Sequence, residues 1–123
     1  MSKFKFSMEF EFRASPKVLY QYIAQPSGLQ QWFASKVNVV GDHRFDLVWD
    51  GESHMARQSI VKSNKQSKFE FDNGNYVDFR IDSSELTGTT YLTITDFSEE
   101  NNLVDLTDTW EDLIYNLKEI VGH

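Results

Sequence analysis

Hydrophobic and polar residues alternate almost without fault from Lys3 to Arg13. Phe4, Phe6, Met8, Phe10 and Phe12 share one face, while Lys3, Lys5, Ser7, Glu9, Glu11 and Arg13 share the other. Period two with aromatic enrichment predicts a strand buried on one side and wet on the other. The pattern then changes. Ser15-Pro16 opens a helix, with Ser as N-cap and Pro at the first helical position, and Val18, Leu19, Tyr22 and Ile23 supply its apolar face. Pro26 ends it, because the residue before a proline avoids the helical region. Ser27 is expected to restart a second short helix that finishes at Trp32-Phe33, with Gln30 completing a capping box.

From Lys36 onward the pattern is again that of strands. Val37 and Val39 alternate before Gly41-Asp42; Phe45, Leu47 and Trp49 alternate before Asp50-Gly51, a strong hairpin dipeptide. Glu52 to Lys62 reads as a long strand without a clear face, ending in the polar cluster Lys62 to Ser67. Phe69 and Phe71 precede the turn signal Asp72-Asn73-Gly74-Asn75. Val77, Phe79 and Ile81 then face one way, and Tyr76, Asp78 and Arg80 the other; Thr89 to Phe97 is the last strand. Leu103, Leu106, Trp110, Leu113, Leu117 and Ile120 recur at alternating steps of three and four, with Ile114 and Val121 widening the stripe. That spacing predicts a helix over Leu103 to Val121, roughly 27 Å long, with one apolar face. Gly122 stands where a C-terminal cap needs positive φ, and Lys118 suits the negative end of the helix dipole.

The order is one strand, two short helices, six strands joined mostly by tight turns, and one long helix. Tight turns imply antiparallel neighbours. The expected fold class is α+β: a curved antiparallel sheet of about seven strands, with the long C-terminal helix packed across it. No repeat or linker interrupts residues 1–123, which are expected to form a single domain.

Composition narrows the function. A net charge of −7 without a Lys/Arg stripe argues against nucleic acid, and against anionic membrane surfaces. Cysteine is absent, which removes disulfides and thiolate chemistry and fits a reducing compartment. The N-terminus has no continuous apolar run, so neither a signal peptide nor a membrane span is expected, and the default location is cytoplasmic. His43, His54 and His123 lack ligand spacing, so no metal is expected. Asp50, Glu52 and His54 share a face if extended, but their place beside Gly51 reads more simply as a solvated hairpin tip. No nucleophile elbow, P-loop or dinucleotide motif is present, and neither a cofactor nor a catalytic residue is assigned.

Several short motifs together resemble a known family. They are Ser15-Pro16-Lys17-Val18, Trp32-Phe33, Gly41 with Phe45, Gly88-Thr89-Thr90 followed by Leu92 and Ile94, and Trp110 with Leu113 and Leu117. With the element order, they resemble the helix-grip fold of the START-like, or Bet v 1-like, superfamily, and within it the group named after the activator of the Hsp90 ATPase. Thr109 stands where that group usually has glycine. Short single-domain bacterial START-like proteins are also similar. The resemblance implies a cavity between sheet and long helix that holds a small apolar ligand. Some relatives act as co-chaperones, so a chaperone or other protein is the alternative partner, and a minority are cyclases or dehydratases.

Candidate walls of that cavity are the rings of Trp32, Phe33, Phe45, Trp49, Phe69, Phe71, Phe79 and Trp110, with Ile114 from the long helix. For any single one of these rings, core is the safer reading, since interiors are densely packed. Arg57 and Tyr91 are the polar candidates. Arg57 offers a planar fork for a ligand carboxylate if it points inward, or a cross-strand pair with an acid such as Glu70 if it points out. An enzyme would need Arg57, His54 or Tyr91 inside the cavity.

Overall fold

The structure is a computed structural model that describes residues 3–99 and 102–122. His123 and Glu100 lie outside the described residues. The elements run β1 (Phe4–Phe12), α1 (Pro16–Ala24), α2 (Pro26–Trp32), β2 (Lys36–Gly41), β3 (Arg44–Trp49), β4 (Glu52–Lys62), β5 (Gln66–Phe71), β6 (Tyr76–Ser83), β7 (Thr90–Ser98) and α3 (Leu103–Val121). One curved sheet of seven strands, ordered β1-β7-β6-β5-β4-β3-β2, is antiparallel throughout. The expected α+β helix-grip architecture is present.

Opposed residues in an antiparallel pair share a face, so the register assigns every side chain. Phe10 opposes Leu92, Leu92 opposes Ile81, Ile94 opposes Phe79 and Val77 opposes Phe69. Phe45 opposes Ala56, and Leu47 opposes His54. These residues form the concave face, and all except Phe10 and His54 are buried. The sheet turns this face to the helices.

Three features depart from the sequence reading. α2 begins at Pro26, capped by the backbone of Gln25 without a side-chain bond, and Ser27 is not its N-cap. Gln30 instead accepts from the Val37 amide across 2.9 Å, tying the helix to β2. The polar cluster Lys62 to Ser67 does not lie wholly between strands, since Gln66 and Ser67 are buried in β5. In α3, Leu103 and Ile120 belong to the predicted stripe but are 60% and 38% exposed, while Leu106, Trp110, Ile114 and Leu117 are buried. A helix on a finite sheet buries only the part of its stripe that the sheet reaches.

The ambiguous strand β4 has a plain cause. Its pairing with β5 shifts register between Gln58 and Ile60, a bulge that breaks the alternation partway along the strand. Buried Gln58 donates to Ser67 Oγ at 2.9 Å and to the Ala24 carbonyl at 3.2 Å, fastening the end of α1 to the sheet.

Two positions demand special residues. Asp50 and Gly51 have φ of 52° and 78°, the pair of positive values that a tight hairpin requires. At Gly28, a Cβ would sit 2.1 Å from the Gln21 carbonyl oxygen, so only glycine lets α2 cross α1 this closely.

Candidate functional site

The rings expected to wall a cavity mostly fill it. Phe33 is the hub, with ring centroids 5.1 Å from Trp49, 5.4 Å from Phe79, 5.5 Å from Trp32 and 5.9 Å from Trp110. Phe69 packs on Phe45 and Phe79. With Ile114, these side chains form the continuous core, and Trp49 and Phe71 pack against it. Each indole N–H finds an acceptor: Trp32 donates to the Tyr22 carbonyl, Trp49 to the Phe33 carbonyl, and Trp110 to Asp96 Oδ2. Buried indoles settle where such partners exist.

The open volume lies at one end of this core. A pocket of about 580 Å³ sits between the β3–β4 turn, the β5–β6 turn, the end of β7 and the first turns of α3. Trp49, Phe71, Val77 and Leu106 give it apolar walls; His54, Asn73, Asn75, Asp96, Asp105 and Thr109 give it polar ones. The local chain explains each wall. Trp49 and His54 flank the Asp50-Gly51 hairpin, with ring centroids 5.5 Å apart. Asn73 and Asn75 belong to the tight turn between β5 and β6, where the Asn73 side chain accepts from the Asn75 amide. Asn102 caps α3 by accepting from the Asp105 amide at 3.2 Å, and Thr109 donates to the Asp105 carbonyl at 2.9 Å. Asp96 opposes Val77 on the concave face and is held by Trp110 at 3.0 Å.

Of the eleven expected wall residues, then, Trp49 and Phe71 line the pocket. Trp32, Phe33, Phe45, Phe69, Phe79, Trp110 and Ile114 are packed beneath it. Arg57 and Tyr91 are on the other side of the sheet. Arg57 opposes Glu70 and makes the outward ion pair at 3.5 Å. Tyr91 opposes exposed Glu11 and Asp82 on the convex face. Of the three polar residues an enzyme was expected to use, only His54 reaches the pocket.

Asp96, Asp105, Val77, Leu106, Thr109 and the two asparagines were not foreseen. One of them carried a legible signal. Thr90, Leu92, Ile94 and Asp96 occupy successive inward positions of β7, so Asp96 is a carboxylate on a buried face. A charged group there needs a partner or a cavity. Among the described residues, no cluster of His, Cys, Asp and Glu is arranged to hold a metal ion, and no helix is long and apolar enough to cross a membrane.

A family model described as a START-like superfamily domain matches residues 1–123. The chain belongs to that superfamily. Solved structures share its fold. An Aha1 dimer from Colwellia psychrerythraea superposes with a TM-score of 0.80 at 15% identity, covering 96% of each chain. A protein from Bacteroides fragilis is 29% identical over 100% of this chain and 94% of its own, with a TM-score of 0.68. A protein from Mesorhizobium loti is 19% identical, covers 94% of each chain and has a TM-score of 0.75. No curated protein matches the sequence. What these structures share with the START-like chain is the fold.

Proposed function

We propose that this START-like domain binds a small hydrophobic ligand in the pocket at the open end of the grip. The observation that carries the reading is the pocket's construction: an open cleft of about 580 Å³ in which Trp49, Phe71, Val77 and Leu106 present apolar surface beside a set of polar side chains. Apolar walls with polar groups set among them are what small-molecule sites present. A ligand burying about 200 Å² of apolar surface would gain about 5 kcal/mol before the cost of immobilisation. The packed core beneath limits how deep the ligand goes, so it lies under the first turns of α3 and not along the whole helix. The reading includes a cytoplasmic location, supported by the cysteine-free sequence.

Decanol titrated against the intact protein, read by tryptophan fluorescence, tests the proposal, because Trp49 lines the pocket and Trp110 lies just beneath it. Thr109→Trp puts a large ring at the mouth from an exposed helical position. Saturable binding that this substitution abolishes supports the reading. Absence of binding, or binding that the substitution leaves intact, removes it.

A further inference from the structure

The polar lining of the pocket is one-sided. Asp72, Asp96 and Asp105 contribute carboxylates, its described lining residues include no Lys or Arg, and the one basic side chain among them, His54, lies 4.0 Å from Glu52. Asn75 adds another acceptor: it lines the pocket, and its Oδ1 is buried without a hydrogen-bond partner among the described residues. The bond from Trp110 uses only part of the acceptor capacity of Asp96, since a carboxylate offers about four lone-pair sites.

The cations near the rim already have partners, Lys3 at the rim itself and the others on the convex face. Lys3 donates to the Asn73 carbonyl and lies 5.9 Å from the Phe97 ring centroid. Lys68 sits over Tyr76 at 4.2 Å, and Arg57 pairs with Glu70. The pocket therefore has acceptors waiting for a donor, and negative charge waiting for a cation. Trp49 and Phe71 reinforce the preference, because aromatic faces attract positive charge.

We propose that the ligand of this pocket is a cationic amphiphile: an apolar chain or ring system with an ammonium or amidinium head directed to Asp96 and Asp105. The inference rests on the binding function proposed above and specifies the ligand's class. A ligand carboxylate is disfavoured by sign, since it would enter beside three like charges. A cation gains a charge-assisted hydrogen bond from a carboxylate that the Trp110 indole already holds in place.

The test compares decylammonium, decanol and decanoate, which share a chain and differ in head group, by tryptophan fluorescence at constant pH and ionic strength. Decylammonium is expected to bind about tenfold more tightly than decanol, the equivalent of one charge-assisted bond, and decanoate more weakly than either. Asp96→Asn keeps an acceptor for Trp110 and is expected to reduce the decylammonium-to-decanol affinity ratio about tenfold. If that variant fails to fold, Asp105→Asn, on the exposed first turn of α3, carries the same measurement.

Decanoate binding as well as decylammonium overturns the inference and leaves the binding function standing. An unchanged ratio in the folded variant, or equal weakening of all three ligands, also overturns it, since the latter would mark a purely structural role for Asp96. Failure of all three ligands to bind removes both the inference and the function beneath it.

Discussion

The indole nitrogen of Trp110 donates to Asp96 Oδ2 across 3.0 Å, joining α3 to the end of β7 at the base of the pocket. Trp110 is 4% exposed and stacks on Phe33 with an interplanar angle of 19°. One side chain thus anchors the helix in the core and fixes a carboxylate that lines the pocket.

Trp110→Phe removes that donor and part of a buried ring. A loss of about 2–3 kcal/mol is expected from the smaller side chain and the unpaired carboxylate, measured by urea denaturation. A double-mutant cycle with Asp96→Asn isolates the pair, and a coupling of about 1 kcal/mol is expected. Strictly additive effects would show that the bond contributes nothing.

Gly28→Ala acts on backbone. The added methyl would meet the Gln21 carbonyl oxygen at 2.1 Å and the Tyr22 Cα at 2.7 Å, so the two helices must part. Overpacking against main chain costs about 1–3 kcal/mol or more. A neutral result by thermal melting would mean that α2 shifts freely, which its close seat on α1 does not allow.

Tyr20 carries a buried hydroxyl with no hydrogen-bond partner among the described residues. Tyr20→Phe is expected to stabilise the fold by about 1 kcal/mol, since it deletes an unsatisfied polar group. Burial also pushes the phenol above its ordinary 10.0, because the charged form is poorly solvated. The folded chain therefore holds this proton more tightly than the unfolded chain. That advantage is complete at lower pH and is lost as pH rises from 10.0 through the raised value. Urea melts at neutral pH and above pH 10.0 should show a shallower alkaline loss in the variant than in the parent.

Arg57 and Trp49 separate the two sides of the sheet. Trp49→Ala removes a pocket wall and should weaken decanol binding about tenfold or more, as expected for the loss of a large buried ring. Arg57→Ala breaks only an outward ion pair with Glu70, worth about 0.5 kcal/mol, and should leave decanol affinity within about twofold. Equal effects of the two on affinity would contradict the assignment of faces.

Much of the fold is local and was therefore legible. The alternation in β1, β3, β6 and β7 states which residues face inward, and the periodicity of Leu103 to Val121 matches the bounds of α3. Ser15 caps α1 as expected, its side chain accepting from the Val18 amide at 3.2 Å. β4 resisted the same reading because a bulge reverses a strand's inward set without any marker in composition.

The site was far less legible. Its walls come from the β3–β4 hairpin, the β5–β6 turn, the tail of β7 and the start of α3, and no single window contains them. An aromatic side chain looks alike in sequence whether it borders a void or fills one. Phe71 and Phe69 share a face of β5 two residues apart, yet one lines the pocket and the other is fully buried.

By itself the amino-acid sequence determined periodicities, caps and turns, because these depend on residues a few positions apart. Tertiary structure alone decided that β1 lies beside β7, that the rings of Phe33, Phe79 and Trp110 close the interior, and that the remaining space carries carboxylates. Those outcomes depend on which distant surfaces come together and how completely their volumes match. Such complementarity belongs to the assembled chain and to no segment of it.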